Sequence, residues 1–419
     1  MSMLPMVLGL LTCLQTQESK PATPPPPAAP QAAPPAAPQL EVAGTKISVY
    51  GHIHMDAYWG DARVNHQQFP FYALSHDPAV TPGINEESNW IDWTPRMSRI
   101  GVRATRDGLP SWEGAKVLGL FEFDFQNRAT SEAAGTESES RELPRLRHAY
   151  VKVTDGVFSA LAGQTSDLIS PLFPTANYDA LMWNAGNLGD RRPQLRLGLE
   201  DKVFDGTWTA AVALARTGAI DRKNLDAAQG DTERDGDDSG RPMIQGRLGL
   251  ASLLEKHLDI GVWGHIGWEE LEGQIAGEDR FTTSSIGLDL KVKLLDTLVL
   301  SGEIWEGKNL SDLRGGIDQG INVATGDEIS SAGGWVELAW TILPPNLTLS
   351  GGVAVDDPKD GDLTAATQRS KNVAPFAVAK VDLGGGFTFG LEWIQWRTNY
   401  LNVDEGRADR FTWFAGLAF

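Results

Sequence analysis

Arginine is the residue type in this 419-residue chain whose placement most plainly implies chemistry. Arg96, Arg99 and Arg103 fall on one short stretch, Arg145 and Arg147 on a second, and Arg191, Arg192 and Arg196 on a third. Read as strands, with side chains alternating between two faces, Arg99 shares a face with Arg103, Arg145 with Arg147, and Arg192 with Arg196. Guanidinium groups gathered on one face offer forked contacts to carboxylate or phosphate and lower the barrier for anions in a narrow passage. Glu122 and Asp124 lie on the strand between the first two arginine groups, where they either tune the field or neutralise their neighbours. No catalytic constellation accompanies them. The seven His show no HExxH or comparable metal spacing, and neither a GxSxG elbow nor a GxxxxGK[ST] loop is present. The sequence therefore predicts no cofactor, no metal and no enzymatic activity. The loop 226–238 (DAAQGDTERDGDD) is dense in oxygen ligands. It lacks the ordered spacing of a calcium loop, so a solvated surface loop is the reading, with divalent ions bridging it to lipopolysaccharide as a middle possibility.

The elements that position these residues have a period of two, not 3.6. Over 116–126, Val117, Phe121, Phe123 and Phe125 alternate with Glu122, Asp124 and Gln126. Over 193–200, Leu195, Leu197 and Leu199 oppose Gln194, Arg196 and Glu200. Segments 331–342 and 385–398 repeat the scheme, with Val336, Leu338, Trp340 and Ile342 opposite Glu337 and Thr341. Short links near 107–110, 155–156, 202–206, 254–257, 294–296, 343–346 and 383–386 alternate with long polar ones. The long ones lie at about 58–96, 128–143, 165–190, 217–241, 271–279, 308–330, 356–369 and 399–408. Seven short turns between eight long loops predict about sixteen strands of roughly 9 to 15 residues, the rhythm of an outer-membrane barrel. The chain ends on an alternating strand with Phe411, Trp413, Ala415, Leu417 and the terminal Phe419 on one face.

The expected fold is thus an all-β transmembrane antiparallel up-and-down barrel over 46–419, in the cell outer membrane, with outer-membrane lipid and lipopolysaccharide as surroundings. An arginine at the bilayer midplane costs about 2–4 kcal/mol, so most of the arginines should face the lumen. The third long loop, 165–190, carries Phe173, Pro174, Tyr178 and Trp183 and is predicted to fold inward to form the constriction.

Composition agrees. Mean hydropathy is −0.24, and beyond the first 14 residues no apolar run approaches the roughly 18 that a spanning helix needs. A net charge of −19 argues against nucleic acid as a partner. Residues 1–17 read as a signal peptide without the usual basic start. The single cysteine, Cys13, sits in a loose lipoprotein-like box, so lipidation is the alternative. Residues 18–45 read as a Pro/Ala-rich periplasmic leader whose 21–38 portion would extend about 55 Å as polyproline II.

Six segments carry a resemblance: Gly51–Asp56 (GHIHMD), Pro95–Arg103 (PRMSRIGVR), Glu122–Phe125 (EFDF), Leu146–Val151 (LRHAYV), Ala162–Thr165 (AGQT) and Arg191–Arg196 (RRPQLR). In this order they resemble the DcaP-like trimeric porins, most clearly over 46–200. The resemblance implies a sixteen-stranded homotrimeric porin with a positively charged constriction that passes small anionic solutes such as dicarboxylates. It makes Arg99, Arg103, Arg147, Arg192 and Arg196 the foremost constriction residues, with Arg145, Glu122 and Asp124 beside them. Family members often carry a helical, coiled-coil-like N-terminal extension where this chain has its Pro/Ala spacer. The alternatives are a phosphate-selective porin, a barrel with a surface enzymatic or adhesive role, and a soluble secreted β-protein, which would lack the loop asymmetry and the terminal Phe.

Overall fold

Alternation along each strand gives one apolar and one polar face, and the two faces meet opposite environments. In the computed structural model, which describes residues 39–81, 88–126, 143–176 and 178–419, the outward side chains Ile53, Leu195, Leu197, Ile304 and Trp340 are more than half exposed. Their inward neighbours Asp124, Gln194, Glu303 and Glu337 are buried. A surface that apolar is a membrane surface. Among the described residues, no helix is long and apolar enough to cross a membrane. The chain divides into Met1–Ala36, which lies outside the described residues together with the expected signal peptide and most of the leader, and Ala37–Phe419, to which everything below belongs.

Sixteen strands close the barrel: β1 (Thr45–Gly60), β2 (Arg99–Leu109), β3 (Trp112–Asp124), β4 (Arg145–Asp155), β5 (Phe158–Ser166), β6 (Arg191–Val203), β7 (Gly206–Ala215) and β8 (Met243–Ser252) form the first half. β9 (Leu258–Ile275), β10 (Glu278–Leu295), β11 (Leu298–Lys308), β12 (Ser330–Leu343), β13 (Leu347–Pro358), β14 (Arg369–Gly384), β15 (Phe387–Tyr400) and β16 (Gly406–Ala418) form the second. Each pairs antiparallel with the next. The ring closes where His52–Gly60 of β1 meet Arg410–Ala418 of β16, so no edge is left unpaired.

Four details depart from the sequence reading. The second strand is broken. Pro95 has no N–H to give to a ladder, the chain turns over Pro95–Ser98, and Trp90–Thr94 carries the pairing with β1 upward beyond the break. The expected long loop at 271–279 is the two-residue turn Ala276–Gly277, with φ of 52° and 94°, so β9 and β10 each run 18 residues. Both positive φ values suit a two-residue hairpin, and Gly277 accepts its value without strain. Polar residues hid this hairpin because strand ends that project beyond the membrane need no apolar face. A β-bulge in β4 sets His148 opposite Glu122 but Leu146 opposite Phe123, leaving Arg147 as the extra residue. Finally, Gln39–Val42 pairs back on Thr45–Ser48, so strand structure begins inside the segment read as leader.

Candidate functional site: a basic wall facing the third loop

Charge is concentrated on β4. Arg145, opposite Asp124, and Arg147 face the lumen by alternation, and the bulge brings His148 to the same side by setting it opposite Glu122. Asp124, on β3, accepts both arms of Arg145 at 2.9 and 2.7 Å and one from Arg147 at 2.8 Å. Glu122 accepts from Arg147 at 2.6 Å and from the Tyr50 hydroxyl at 3.0 Å, with Arg99 Nε 3.5 Å away. The two acids are thus enclosed by three arginines, whose outer edges remain at the lumen. Arg191, at the head of β6, adds a fourth guanidinium 3.5 Å from Asp190. Asp190 also accepts from Arg314 at 3.1 Å. Burial works against ionisation of Asp190, but Arg314, Arg191 and Arg145 outweigh it and hold its carboxyl below the usual value.

The third loop lies across from this wall. Its residues Ile169, Ala180, Met182, Trp183 and Leu188 are buried, and it is fastened to strands on the far side of the barrel. Glu303 of β11 accepts from the Leu172 amide at 2.8 Å and from the Ser170 hydroxyl. Glu337 of β12 accepts the Thr175 amide and hydroxyl at 2.7 Å, and Trp305 donates its indole N–H to the Gly186 carbonyl at 2.7 Å. Arg410 of β16 holds Asp179 at 2.9 Å. The loop therefore presents Phe173, Pro174, Tyr178 and Leu181 to a cavity of about 810 Å³ shared with His52, His54, Arg99, Arg145, Arg147 and Arg191. Across the cavity Arg99 donates to the Tyr178 hydroxyl at 3.3 Å, and the rings of His52 and His54 lie 6.1 and 5.5 Å from that of Tyr178.

Of the residues singled out from the sequence, Arg99, Arg145, Arg147, Glu122 and Asp124 come together here. Arg103 and Arg196 face the lumen from the same strands but outside this cavity. Arg103 lies over the Tyr50 ring at 5.5 Å, and Arg196 donates to Gln194 Oε1 at 3.0 Å. Among the described residues, neither has a carboxylate within ion-pair distance. The structure sets Arg192 apart. Its side chain is 0% exposed, and it binds Asp167 at 2.8 Å and Asp312 at 2.5 Å. It further donates to the backbone carbonyls of Asp312 and Arg216. Arg192 is a clamp between the third and sixth long loops, not a surface that a solute meets. Tyr178 comes from the loop expected to fold inward, whereas Arg191 was not among the expected constriction residues. Arg191 sits one residue off the lumen face by alternation, and only its place at the very end of the strand allows it to turn inward.

In the acidic fourth loop, 216–242, Asp237 pairs with Arg216, Asp235 accepts from the Leu225 amide at 3.0 Å, and Asp226 accepts from the Gly273 amide at 2.8 Å. Among the described residues, no group of three His, Cys, Asp or Glu side chains is preassembled to hold a metal.

No family model matches the chain, and no curated protein matches it in sequence. Solved structures do match in shape. The outer membrane channel DcaP of Acinetobacter baumannii superposes with a TM-score of 0.70 at 17% identity, covering 91% of this chain and 100% of that one. The anion-selective porin from Comamonas acidovorans gives 0.54 at 13%, covering 90% of this chain and 100% of that one. OmpF of Salmonella typhi gives 0.56 at 12%, covering 91% and 100%. Together with the apolar belt, these likenesses show the fold: the chain is a closed sixteen-stranded barrel of the outer-membrane porin type, the architecture that the resemblance to the DcaP-like porins implied.

Proposed function

We propose that the protein is a passive outer-membrane pore for small hydrophilic solutes, with a preference for anions of the dicarboxylate type. One observation carries the preference. Four guanidinium groups, Arg99, Arg145, Arg147 and Arg191, converge on one wall around only three carboxylates, Glu122, Asp124 and Asp190, and Asp190 is shared with Arg314. On this wall the surplus is positive, and Arg103 and Arg196 continue it, while across the cavity the acids Asp179 and Glu392 are paired with Arg410. In a narrow, partly desolvated passage such a surplus attracts anions and repels cations, and fixed donors stand in for part of the hydration shell that the solute loses. Glu122 and Asp124 hold the guanidinium planes in place and temper their charge. The third loop, with Tyr178 against Arg99, narrows the passage from the other side.

The working assembly under this proposal is a homotrimer in outer-membrane lipid and lipopolysaccharide. Residues 1–17 serve as the export signal, and the Pro/Ala segment is a periplasmic leader. Uptake into proteoliposomes tests the solute class. A four-carbon dicarboxylate should enter severalfold faster than a neutral polyol of similar size. Equal rates, or faster entry of a diamine, would reject the anion preference while leaving a pore.

A further inference from the structure

The inner face of a water-filled barrel is polar, so an apolar side chain that points inward is either covered or left against water at a cost. In the second half of the barrel such side chains are covered. Trp263, Trp305, Trp335 and Phe376 pack into buried clusters with Ile169, Met182 and Leu188 of the third loop. Leu118 and Leu120 of β3 and Leu161 of β5 point inward too, by the alternation that carries Glu122 and by pairing with Lys152. They belong to none of the buried clusters and are only half-buried. Register sets their neighbours. Leu120 lies between Arg103 and Tyr150, Leu118 opposite Lys152, and Leu161 between Lys152 and Arg196. Directly opposed side chains of a sheet stand about 5 Å apart at Cβ, so these leucines and cations form one patch.

The cations of the patch are not spent on acids. Among the described residues, no carboxylate lies within ion-pair distance of Arg103, Lys152 or Arg196. Asp167, whose charge reaches Arg196, is already bound to Arg192, and Glu122 is bound to Arg147. Nearer the turns, Asp107 stands opposite Lys116. The Tyr150 hydroxyl is within reach of the charges of both Arg103 and Arg196. The patch begins four residues along β2 from Arg99, about 13 Å further toward the short turns, and so lies beyond the third loop. We propose that the pore holds here a second solute subsite, separate from the wall that faces the third loop, for a monoanion with an apolar body. Its carboxylate meets Arg103, Lys152 and Arg196, and its alkyl chain lies on Leu118, Leu120 and Leu161. An inorganic anion gains nothing from the leucines, and a dicarboxylate sets its second charge against them. A six-carbon monocarboxylate satisfies both halves. The subsite rests on the reading of the chain as an open pore and adds to it a solute class that the constriction alone does not select.

Block of the chloride current through the full-length protein in a planar bilayer, titrated with hexanoate and with propionate, tests the subsite. Hexanoate should block saturably at a concentration lower by about fivefold or more than propionate, because its three further methylenes leave water on the leucines. Hexylammonium, with the chain but the opposite charge, should block less than hexanoate. Leu120→Asn combined with Leu161→Asn should abolish the advantage of hexanoate over propionate. Arg103→Gln combined with Arg196→Gln should weaken block by both acids, and keeps the test open should the leucine pair fail to insert. Val299→Asn, on the inward face of β11 away from the patch, should retain the advantage. The subsite is overturned if hexanoate and propionate block the parent equally, if the advantage survives the leucine substitutions, or if hexylammonium blocks as well as hexanoate; each of these leaves the anion preference of the pore standing. A hexanoate advantage in a pore whose reversal potential lies on the potassium side would instead reject the anion preference and support the subsite.

Discussion

Replacing Arg192 with alanine should loosen the pore without touching its wall. Arg192 and its two carboxylate partners are excluded from solvent, with side-chain exposures of 0% for Arg192, 1% for Asp167 and 0% for Asp312. Removing one member of such a group leaves buried charge uncompensated, which costs about 3–5 kcal/mol. The lower end applies here. Asp167 keeps the Gln245 amide at 2.7 Å and the Asp190 N–H at 2.9 Å, and Asp312 keeps the amides of Gly218 and Ile220. We therefore expect about 3 kcal/mol, seen as a lower unfolding temperature of the detergent-folded barrel by intrinsic fluorescence. Single-channel conductance should rise and become noisy, because Asp167 anchors the base of the third loop and Asp312 the sixth. Arg192→Lys keeps the charge but lacks the fork that spans both carboxylates, and should fall between alanine and the parent. An Arg192→Ala protein with the parent's unfolding temperature and the parent's quiet conductance would refute the clamp.

Three further outcomes follow from the same geometry. Gly186, at φ 141°, lies against β12, and a Cβ there would meet the Gly334 carbonyl oxygen and stand 2.8 Å from the Val355 nitrogen, both backbone. Gly186→Ala should therefore lift the third loop, raise conductance and expose the loop to protease; an unchanged conductance would mean the loop does not narrow the passage. Asp190 has a folded-state pKa below its unfolded value, so the stability it adds is present above about pH 4 and is lost as pH falls through the folded value. Acid unfolding monitored below pH 4 should be shallower in Asp190→Asn, and Asp190→Asn should be the less stable protein at pH 7. An identical acid profile in both would contradict the pairing with Arg314 and Arg191. Tyr178→Phe removes the hydroxyl that accepts from Arg99 at 3.3 Å and should change conductance by less than twofold while freeing the guanidinium; a collapse of conductance would show that Tyr178 holds the loop instead.

The barrel was legible because lipid and lumen impose opposite demands on alternate residues, and that demand is written locally. Val336, Leu338, Trp340 and Ile342 face outward and Glu337 inward, as their spacing predicts. The alternation of turns and long loops set the strand number for the same reason. What was not legible depends on residues far apart in the chain. The partner of Arg192 in the sixth loop is 120 positions away, and nothing near Arg192 distinguishes a clamp from a pore residue. The bulge that brings Arg147 and His148 to one side shifts the alternation by one residue, which a period-two pattern cannot register. The Ala276–Gly277 hairpin stands where the membrane no longer filters residue type, so its polar flanks read as loop.

The charge preference of the basic wall is the central claim, and the reversal potential of single channels in a planar bilayer under a KCl gradient tests it most directly. The account predicts a potential displaced toward the chloride equilibrium value, moving toward zero in Arg99→Gln and further in a variant that also carries Arg103→Gln and Arg196→Gln. A potential on the potassium side in the parent, or one indifferent to all three substitutions, would contradict it.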